Sequence, residues 1–242
     1  MDMTLMDELA LCGDWLPALQ DKLPLLESIE RFLVEREKQG PVYPRRGERL
    51  SALRHTPLSE VKVLMLAQDP YPGEDDGEPN AMGLALSVRK GVKVPASLRN
   101  IYKELSLSTS FHAPTHGDLR AWSKQGVLLW NVVLTLDAGV SKSHSRAGWE
   151  GFTQAVVDCI ARQPEHVVFL SLGRDSHAYA PSFTAPNKSV VKTSHPSPLG
   201  ATKSAKDGSF PAFIRSNCFV MVNQHLLDAG RTPVNWSLDE NT

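Results

Sequence analysis

Two short proline-rich segments carry the residue types best suited to chemistry. Residues 67–73 read Ala-Gln-Asp-Pro-Tyr-Pro-Gly and contain the carboxylate of Asp69. Residues 194–200 read Ser-His-Pro-Ser-Pro-Leu-Gly and contain the imidazole of His195. Proline and glycine fix the backbone of such turns, so both side chains are held on stiff loops. This pair suits the cleavage of a bond whose transition state separates charge, with Asp69 stabilising the cation and His195 the anion.

Each of these loops follows a short apolar run that is typical of a buried strand. Four such runs, rich in Val, Ile or Leu, are predicted as strands, over residues 61–67, 127–132, 166–172 and 189–193. Helical patterns over residues 97–105 and 148–162 lie between them. This alternation predicts an α/β fold of three layers, α/β/α, around a four-stranded parallel sheet. Ligands bind beyond the carboxyl ends of such strands, where Asp69 and His195 lie.

The length and the N-terminal pattern predict the domain organisation. The 242 residues fit one α/β domain, residues 1–242. From Asp14 to about Gln39, apolar residues recur at steps of three and four, which predicts one amphipathic helix in an N-terminal helical extension of about residues 1–40. The glycine and prolines of residues 40–47 end that period.

Composition excludes several classes of protein. The net charge of −1 argues against bulk coating of nucleic acid, so any DNA contact must come from a local site. Three scattered cysteines predict buried thiols, with neither disulfides nor a metal site, and no cofactor is expected. No apolar run is long enough to span a membrane, and the start Met1-Asp2-Met3 lacks the features of a signal peptide. A cytoplasmic protein is expected.

Several segments together resemble the family-1 type of the uracil-DNA glycosylase superfamily. Besides the two loops, they are Leu-Leu-Trp-Asn-Val-Val-Leu-Thr at residues 128–135, Ser143-His144, Gly-Trp-Glu-Gly-Phe-Thr at residues 148–153, and Val-Phe-Leu-Ser-Leu-Gly at residues 168–173. The similarity runs in order from about Val42 to Trp236. It implies the fold of that superfamily and hydrolysis of the N-glycosidic bond of uracil in DNA, which leaves an abasic site.

The resemblance implies roles for the polar residues at the strand ends. Asp69 is expected to orient the attacking water and stabilise the oxocarbenium-like sugar, and His195 to bond the uracil oxygen that gains charge. Asn131 is expected to read the uracil edge. The alternatives are a turn or helix-capping carboxylate for Asp69, a turn hydrogen bond for His195, and a structural amide for Asn131.

Three further residues are expected to contact the base. Gln68 is expected to offer backbone contacts, and Tyr71 resembles the tyrosine that occupies the space of thymine's methyl group. Leu86 stands where the family normally has a phenylalanine that stacks on uracil. Stacking of a base on an aromatic ring is worth about 1 to 3 kcal/mol, so this departure predicts weaker or altered base binding.

The resemblance also implies a DNA-binding surface of residues near the strand ends: Ser97, Gly173, Arg174, Ser197, Leu199 and Lys203. Hydroxyls and backbone amides among them are expected to hold phosphates. Leu199 matches the apolar wedge that fills the space of a flipped nucleotide. Arg174 and Lys203 depart from the family pattern by adding positive charge.

The remaining departures leave the specificity open. Residues 74–82 form a longer and more acidic loop than usual, and Pro72 replaces a histidine. The prediction is a monomer acting on uracil in single- or double-stranded DNA. A glycosylase of the same fold for another damaged base, or a catalytically weak DNA- or protein-binding homologue, are the alternatives. A nucleotide-binding Rossmann enzyme is disfavoured because no glycine-rich phosphate loop follows the first strand.

Overall fold

Residues 3–238 are described by the computed structural model. Met1 and Asp2, which bear on the signal-peptide prediction, and residues 239–242 lie outside the described part. The strands are β1 Val42–Tyr43, β2 Val63–Ala67, β3 Glu74–Asp75, β4 Glu78–Pro79, β5 Val127–Asn131, β6 Leu136–Asp137, β7 Val167–Leu172 and β8 Lys188–Thr193. The α-helices are α1 Leu5–Ala10, α2 Trp15–Ala18, α3 Leu23–Glu37, α4 Ser51–His55, α5 Ala96–Ser108, α6 Arg120–Ser123, α7 Trp149–Ala161, α8 Arg174–His177 and α9 Cys218–Asp228.

The central sheet has four parallel strands in the order β5-β2-β7-β8. All four predicted strands are present, with ends that differ by one or two residues from the predicted ones. The register pairs Ala67 with Asn131 and Leu172 with Thr193, so the carboxyl ends of neighbouring strands are level. The predicted α/β fold is confirmed, and the loops after these strands meet at one edge of the sheet.

Alternating side chains of β2 bury the two faces of the sheet. Leu64 and Leu66 belong to a core with α1, α3 and α7, whereas Val63 and Met65 belong to a second core with α5, α6 and α9. Successive side chains of a strand point to opposite faces, which explains why an uninterrupted apolar run is needed here. The result is the three-layer arrangement that the sequence predicts.

The prediction of one helix from Asp14 to Gln39 is wrong in its first part. A four-residue helix, Trp15–Ala18, and a 3-10 turn, Gln20–Lys22, precede the long helix Leu23–Glu37. Pro24 lies in the first turn of that helix, where no backbone N–H is required. In the interior of a longer helix the same proline would remove a hydrogen bond and clash with the preceding turn. The apolar periodicity therefore continues across the point where the helix is interrupted.

Two small antiparallel pairs, β1 with β6 and β3 with β4, lie outside the central sheet. The first pair ties the segment before β2 to the loop after β5, which carries residues of the site. Cys12, Cys159 and Cys218 are buried free thiols. None of the helices in residues 3–238 is long and apolar enough to cross a membrane.

Candidate active site

The loop after β2 lies against the end of β5. Val132 N–H donates to Ala67 O, and Val133 N–H donates to Gln68 O, each over 3.0 Å. Gly139 N–H donates to Pro72 O over 2.8 Å, so the chain beyond β5 also holds the far end of this loop. Asp69 therefore lies on a backbone fixed at both ends.

The carboxylate of Asp69 is held through one of its oxygens. Its Oδ2 accepts hydrogen bonds from the Ser141 hydroxyl, over 2.6 Å, and from the Lys142 backbone N–H, over 2.8 Å. No hydrogen bond to Oδ1 comes from the rest of residues 3–238. One oxygen is thus anchored while the other stays available to a ligand or a water molecule.

Lys142 and Gln68 converge on Asp175, which lies in α8 after β7. Gln68 Nε2 donates to Asp175 Oδ2 over 2.5 Å, and Lys142 Nζ lies 3.3 Å from the same oxygen. These residues and Asp69 line an open cleft of about 740 Å³. Asp175 therefore connects the loops that carry Gln68 and Lys142, while the backbone of Gln68 remains the part expected to contact a base.

Asn131 is the last residue of β5 and is 8% exposed. Its Oδ1 is buried and accepts no hydrogen bond from residues 3–238. Tyr71 and Leu86 line the same small cavity as Asn131. A buried amide oxygen without a partner is costly, so a hydrogen-bonding ligand or water at this point would stabilise it.

Tyr71 and Leu86 are fixed to each other. The Tyr71 hydroxyl donates to Leu86 O over 3.1 Å, and burial raises the pKa of Tyr71 well above its usual range. Leu86 is 7% exposed and adopts a φ of 67°, which is unusual for a residue with a branched side chain. This backbone places the side chain of Leu86 in the cavity that Tyr71 and Asn131 also line.

His195 lies on the loop after β8, opposite Asp69. Ser197 N–H donates to its Nδ1 over 3.1 Å, so in the neutral ring the proton is carried by Nε2. Burial lowers the pKa of His195 by more than the carboxylates of Asp69 and Asp175 raise it. The ring is therefore neutral at physiological pH and offers an Nε2–H donor.

Gly173 leaves the space that His195 occupies. A Cβ atom at residue 173 would lie 2.9 Å from Cβ of His195, and Gly173 has a φ of 87° and a ψ of 169°, a region open essentially to glycine. The Asn100 side chain of α5 donates to Pro196 O over 2.8 Å and holds the other side of the loop. The imidazole is thus fixed from two directions.

The residues expected to bind DNA surround the two loops. Ser97 is half-buried in the first turn of α5, and Ser197 is half-buried next to His195. Leu199 is 80% exposed at the tip of the second loop. Arg174, 6.0 Å from the Phe210 ring, and Lys203 are exposed beyond it. The surface beside His195 therefore presents hydroxyls, an apolar tip and two cations.

The acidic loop contains the short hairpin of β3 and β4. Glu78 pairs with Arg45 over 2.7 Å, and Glu74 accepts a hydrogen bond from the Tyr43 hydroxyl. Asp75 accepts from Lys93 N–H over 3.3 Å. Part of the negative charge of the acidic loop is thus neutralised by other residues of the protein.

Ser141, Lys142 and Asp175 are site residues that the sequence did not predict. The one signal near them is Ser143-His144, because His144 is fully buried and bonds Thr135 over 2.9 Å and Asp137 over 3.0 Å. These contacts shape the loop that brings Ser141 to Asp69. The resemblance identifies Ser143-His144, but the spacing of this pair does not reveal that Ser141 and Lys142 contact the carboxylate of Asp69.

Comparison with known proteins gives a consistent result. The model of the uracil DNA glycosylase superfamily matches residues 53–226. A uracil-DNA glycosylase of Deinococcus deserti is 42% identical over 93% of this chain and 87% of its own. Uracil-DNA glycosylase 2 of Streptomyces avermitilis is 41% identical over 96% of this chain and 97% of its own. The crystal structure of the mimivirus uracil-DNA glycosylase has a TM-score of 0.83, with 27% identity over 98% of this chain and 95% of its own. With both loops, the sheet order and these relatives in agreement, the chain belongs to the uracil DNA glycosylase superfamily.

Proposed function

We propose that this chain is a DNA repair enzyme that flips uracil out of DNA and hydrolyses its N-glycosidic bond with Asp69 and His195. The observation that carries the proposal is the pairing of an anchored carboxylate with a neutral, half-buried imidazole at the carboxyl edge of the sheet. The reaction adds water across the bond between the sugar C1′ and the base, which leaves an abasic site. The activity is that of a uracil-DNA glycosylase, a glycosyl hydrolase.

Asp69 acts on the sugar side of the bond. With Oδ2 occupied by Ser141 and Lys142, Oδ1 is the oxygen that accepts a hydrogen bond from the attacking water. The same carboxylate stabilises the positive charge that the sugar develops as the bond lengthens. Pro70 and the backbone contacts of the loop limit its movement, so little reorganisation is needed in the transition state.

His195 acts on the base side. Its Nε2–H donates to the uracil oxygen that gains negative charge, because Ser197 N–H already occupies Nδ1. A neutral donor suits this step, since it stabilises the developing anion without first transferring a proton to the base. The lowered pKa of His195 keeps the ring in that state.

Asn131, Tyr71, Leu86 and Gln68 form the base-binding pocket. The Asn131 amide bonds the uracil edge, the Tyr71 ring excludes a methyl group at C5, and Leu86 packs on the face of the base. Gln68 contributes its backbone. This assignment is supported by the cavity that Asn131, Tyr71 and Leu86 share and by the buried, unbonded Oδ1 of Asn131.

The enzyme acts as a monomer. It holds DNA through the surface beside His195. Leu199 fills the space left by the flipped nucleotide, and the hydroxyls of Ser97 and Ser197 bond phosphates with the backbone of Gly173. Arg174 and Lys203 add the positive charge that the chain lacks overall. The exposed position of Leu199 supports this assignment.

Cleavage of a uracil-containing oligonucleotide, followed by alkali to reveal abasic sites, tests the proposal. The wild type should give strand breaks, and Asp69→Asn and His195→Ala should lose them. A second candidate, excision of a different damaged base, is favoured by Leu86 in place of an aromatic ring. Oligonucleotides with hypoxanthine or oxidised pyrimidines separate the two, and binding of all of them without excision would leave only a binding role.

A further inference from the structure

The open cleft that Asp69 lines also contains a lysine that contacts two carboxylates. The backbone N–H of Lys142 donates to Asp69 Oδ2 over 2.8 Å, while its Nζ lies 3.3 Å from Asp175 Oδ2. Gln68 Nε2 donates to the same oxygen of Asp175 over 2.5 Å, which holds that carboxylate beside the ammonium. Lys142 therefore touches Asp69 with its backbone and places its charge on a different carboxylate.

The ion pair of Lys142 and Asp175 adds little to the stability of the fold. The two side chains are 57% and 51% exposed, and ion pairs at such positions contribute little to the free energy of unfolding. Asp175 also follows Arg174 in the surface proposed to hold DNA, where a carboxylate repels phosphates. Neither stability nor DNA affinity explains a carboxylate at this position.

The ammonium of Lys142 cannot move far from Asp69. Its own side chain is all that separates it from the backbone nitrogen that bonds Asp69 Oδ2. Released from Asp175, this flexible side chain can fold back and place Nζ on Oδ1, the oxygen available to the attacking water. Even without contact, a positive charge this close cancels part of the negative charge that stabilises the sugar cation. Both effects slow hydrolysis.

The same charges act on the imidazole of His195. Burial lowers the pKa of His195 most strongly, the carboxylates of Asp69 and Asp175 raise it, and Lys142 lowers it. Asp175 and Lys142 thus act at the site with opposite signs. When these two are paired with each other, the negative charge of Asp69 is left uncompensated.

We propose that Asp175 is a positioning residue that holds the Lys142 ammonium away from Asp69, so that Oδ1 stays free for water and the carboxylate keeps its full negative charge. The inference rests on the proposed function, because it deepens the role given to Asp69. It predicts that removing the negative charge of Asp175 slows the chemical step but does not weaken DNA binding. An ion pair of purely structural value would leave the chemical step unchanged.

Single-turnover excision of uracil at saturating enzyme tests this role, with affinity measured separately on DNA that carries a tetrahydrofuran abasic analogue. Asp175→Asn removes the charge and retains an acceptor for Gln68. It should slow the chemical step about fivefold to tenfold without weakening binding of the analogue. In a Lys142→Met background the same change should cost less than about twofold, because no ammonium remains to be released. Glu150→Gln is the control, since it removes another carboxylate of the same cleft and should leave the rate unchanged.

The protonation midpoint of His195, measured by nitrogen-15 NMR, gives a readout that does not depend on turnover. It should fall in Asp175→Asn, because a carboxylate that raises the pKa of His195 has lost its charge. A midpoint that does not fall would contradict the electrostatic role of Asp175.

Two kinetic outcomes would overturn the inference. One is an unchanged chemical step in Asp175→Asn. The other is an equal loss in the wild-type and Lys142→Met backgrounds, which would show that Asp175 acts without Lys142. Either result in an enzyme that Asp69→Asn inactivates refutes only this inference, whereas a wild type inactive on uracil refutes the proposed function with it.

Discussion

The hydroxyl of Ser141 lies 2.6 Å from Oδ2 of Asp69 and donates a hydrogen bond to it. The Lys142 N–H donates to the same oxygen. A carboxylate bonded in this way on one side cannot rotate freely, so its other oxygen keeps a constant direction. The loop of Ser141 therefore decides where the proposed nucleophilic water is bound.

Ser141→Ala should slow uracil excision about tenfold, since a hydrogen bond to a charged group contributes roughly 1.5 kcal/mol in a partly exposed setting. Single-turnover kinetics with saturating enzyme measure the chemical step directly. The loss should appear in the rate of this step and not in substrate affinity.

Two variants control this experiment. Ser141→Thr retains the hydroxyl and should keep most of the rate. Ser145→Ala removes a hydroxyl that bonds Lys142 O within the same loop, so it tests loop damage alone. Equal rates for Ser141→Ala and the wild type would show that Lys142 N–H suffices to hold Asp69.

His195 should remain neutral throughout the working pH range. Burial lowers the pKa of His195, so its protonation midpoint should lie below the ordinary 6.5. Nitrogen-15 NMR of the imidazole ring measures this midpoint and identifies the tautomer. The spectrum should show a proton on Nε2 and none on Nδ1 above that pH. A midpoint above 6.5 would contradict the proposed neutral donor.

Gly173→Ala should reduce both stability and activity. The new Cβ would lie 2.9 Å from Cβ of His195. In a residue other than glycine, the backbone conformation of residue 173 also lowers the free energy of unfolding by about 1 to 3 kcal/mol. Gly208→Ala is the matched control, because Gly208 has a φ of 75° but nothing within 4 Å of the new Cβ. Both variants should lose stability in urea denaturation, yet Gly173→Ala alone should lose most of the excision rate.

Leu199→Ala should leave stability within about 0.5 kcal/mol of the wild type, because the side chain is 80% exposed. Excision from a duplex should fall, since the apolar tip no longer fills the vacated stack. Excision from a single strand should change much less, because no stack has to be opened. Equal losses on both substrates would argue against a role in base flipping.

His177 should make stability depend on pH. Burial lowers the pKa of His177 from 6.5 to about 4, so the unfolded chain binds more protons than the folded one between these values. Stability is then full above pH 6.5 and falls as the pH decreases towards 4. Urea denaturation at pH 7 and pH 5 should show a smaller difference in His177→Asn than in the wild type, and an equal difference in both would contradict this role of His177.

The sequence predicts the sheet well because burial on both faces leaves a local signature. Each apolar run is a strand, and Asp69 and His195 lie just beyond strand ends as expected for this fold. The family and the glycosylase activity follow from motifs in these same loops. The roles of individual residues, including Asn131 and Tyr71, stay predictions that the experiments above test.

The features that the sequence does not predict depend on contacts between distant segments. Nothing in the local pattern around Ser141 shows that its hydroxyl lies beside Asp69, 72 residues away. Nothing in the sequence marks Arg49 as buried, because arginine is seldom fully buried, yet its side chain is 1% exposed and pairs with Glu37. Pro24 lies in the first turn of a separate helix, although the apolar periodicity continues through this position. The spacing of apolar side chains does not reveal that proline lacks the backbone N–H a continuous helix would need.

The order β5-β2-β7-β8 also governs when the enzyme can first work during its synthesis. The strand β2 is made early, but its neighbour β7 follows about a hundred residues later, and β8 later still. A ribosome-bound chain of which fewer than 200 residues have left the exit tunnel would contain Asp69 but lack the complete loop of His195. Catalytic turnover is therefore a late event in biogenesis, and its appearance would report that the last strand has joined the sheet.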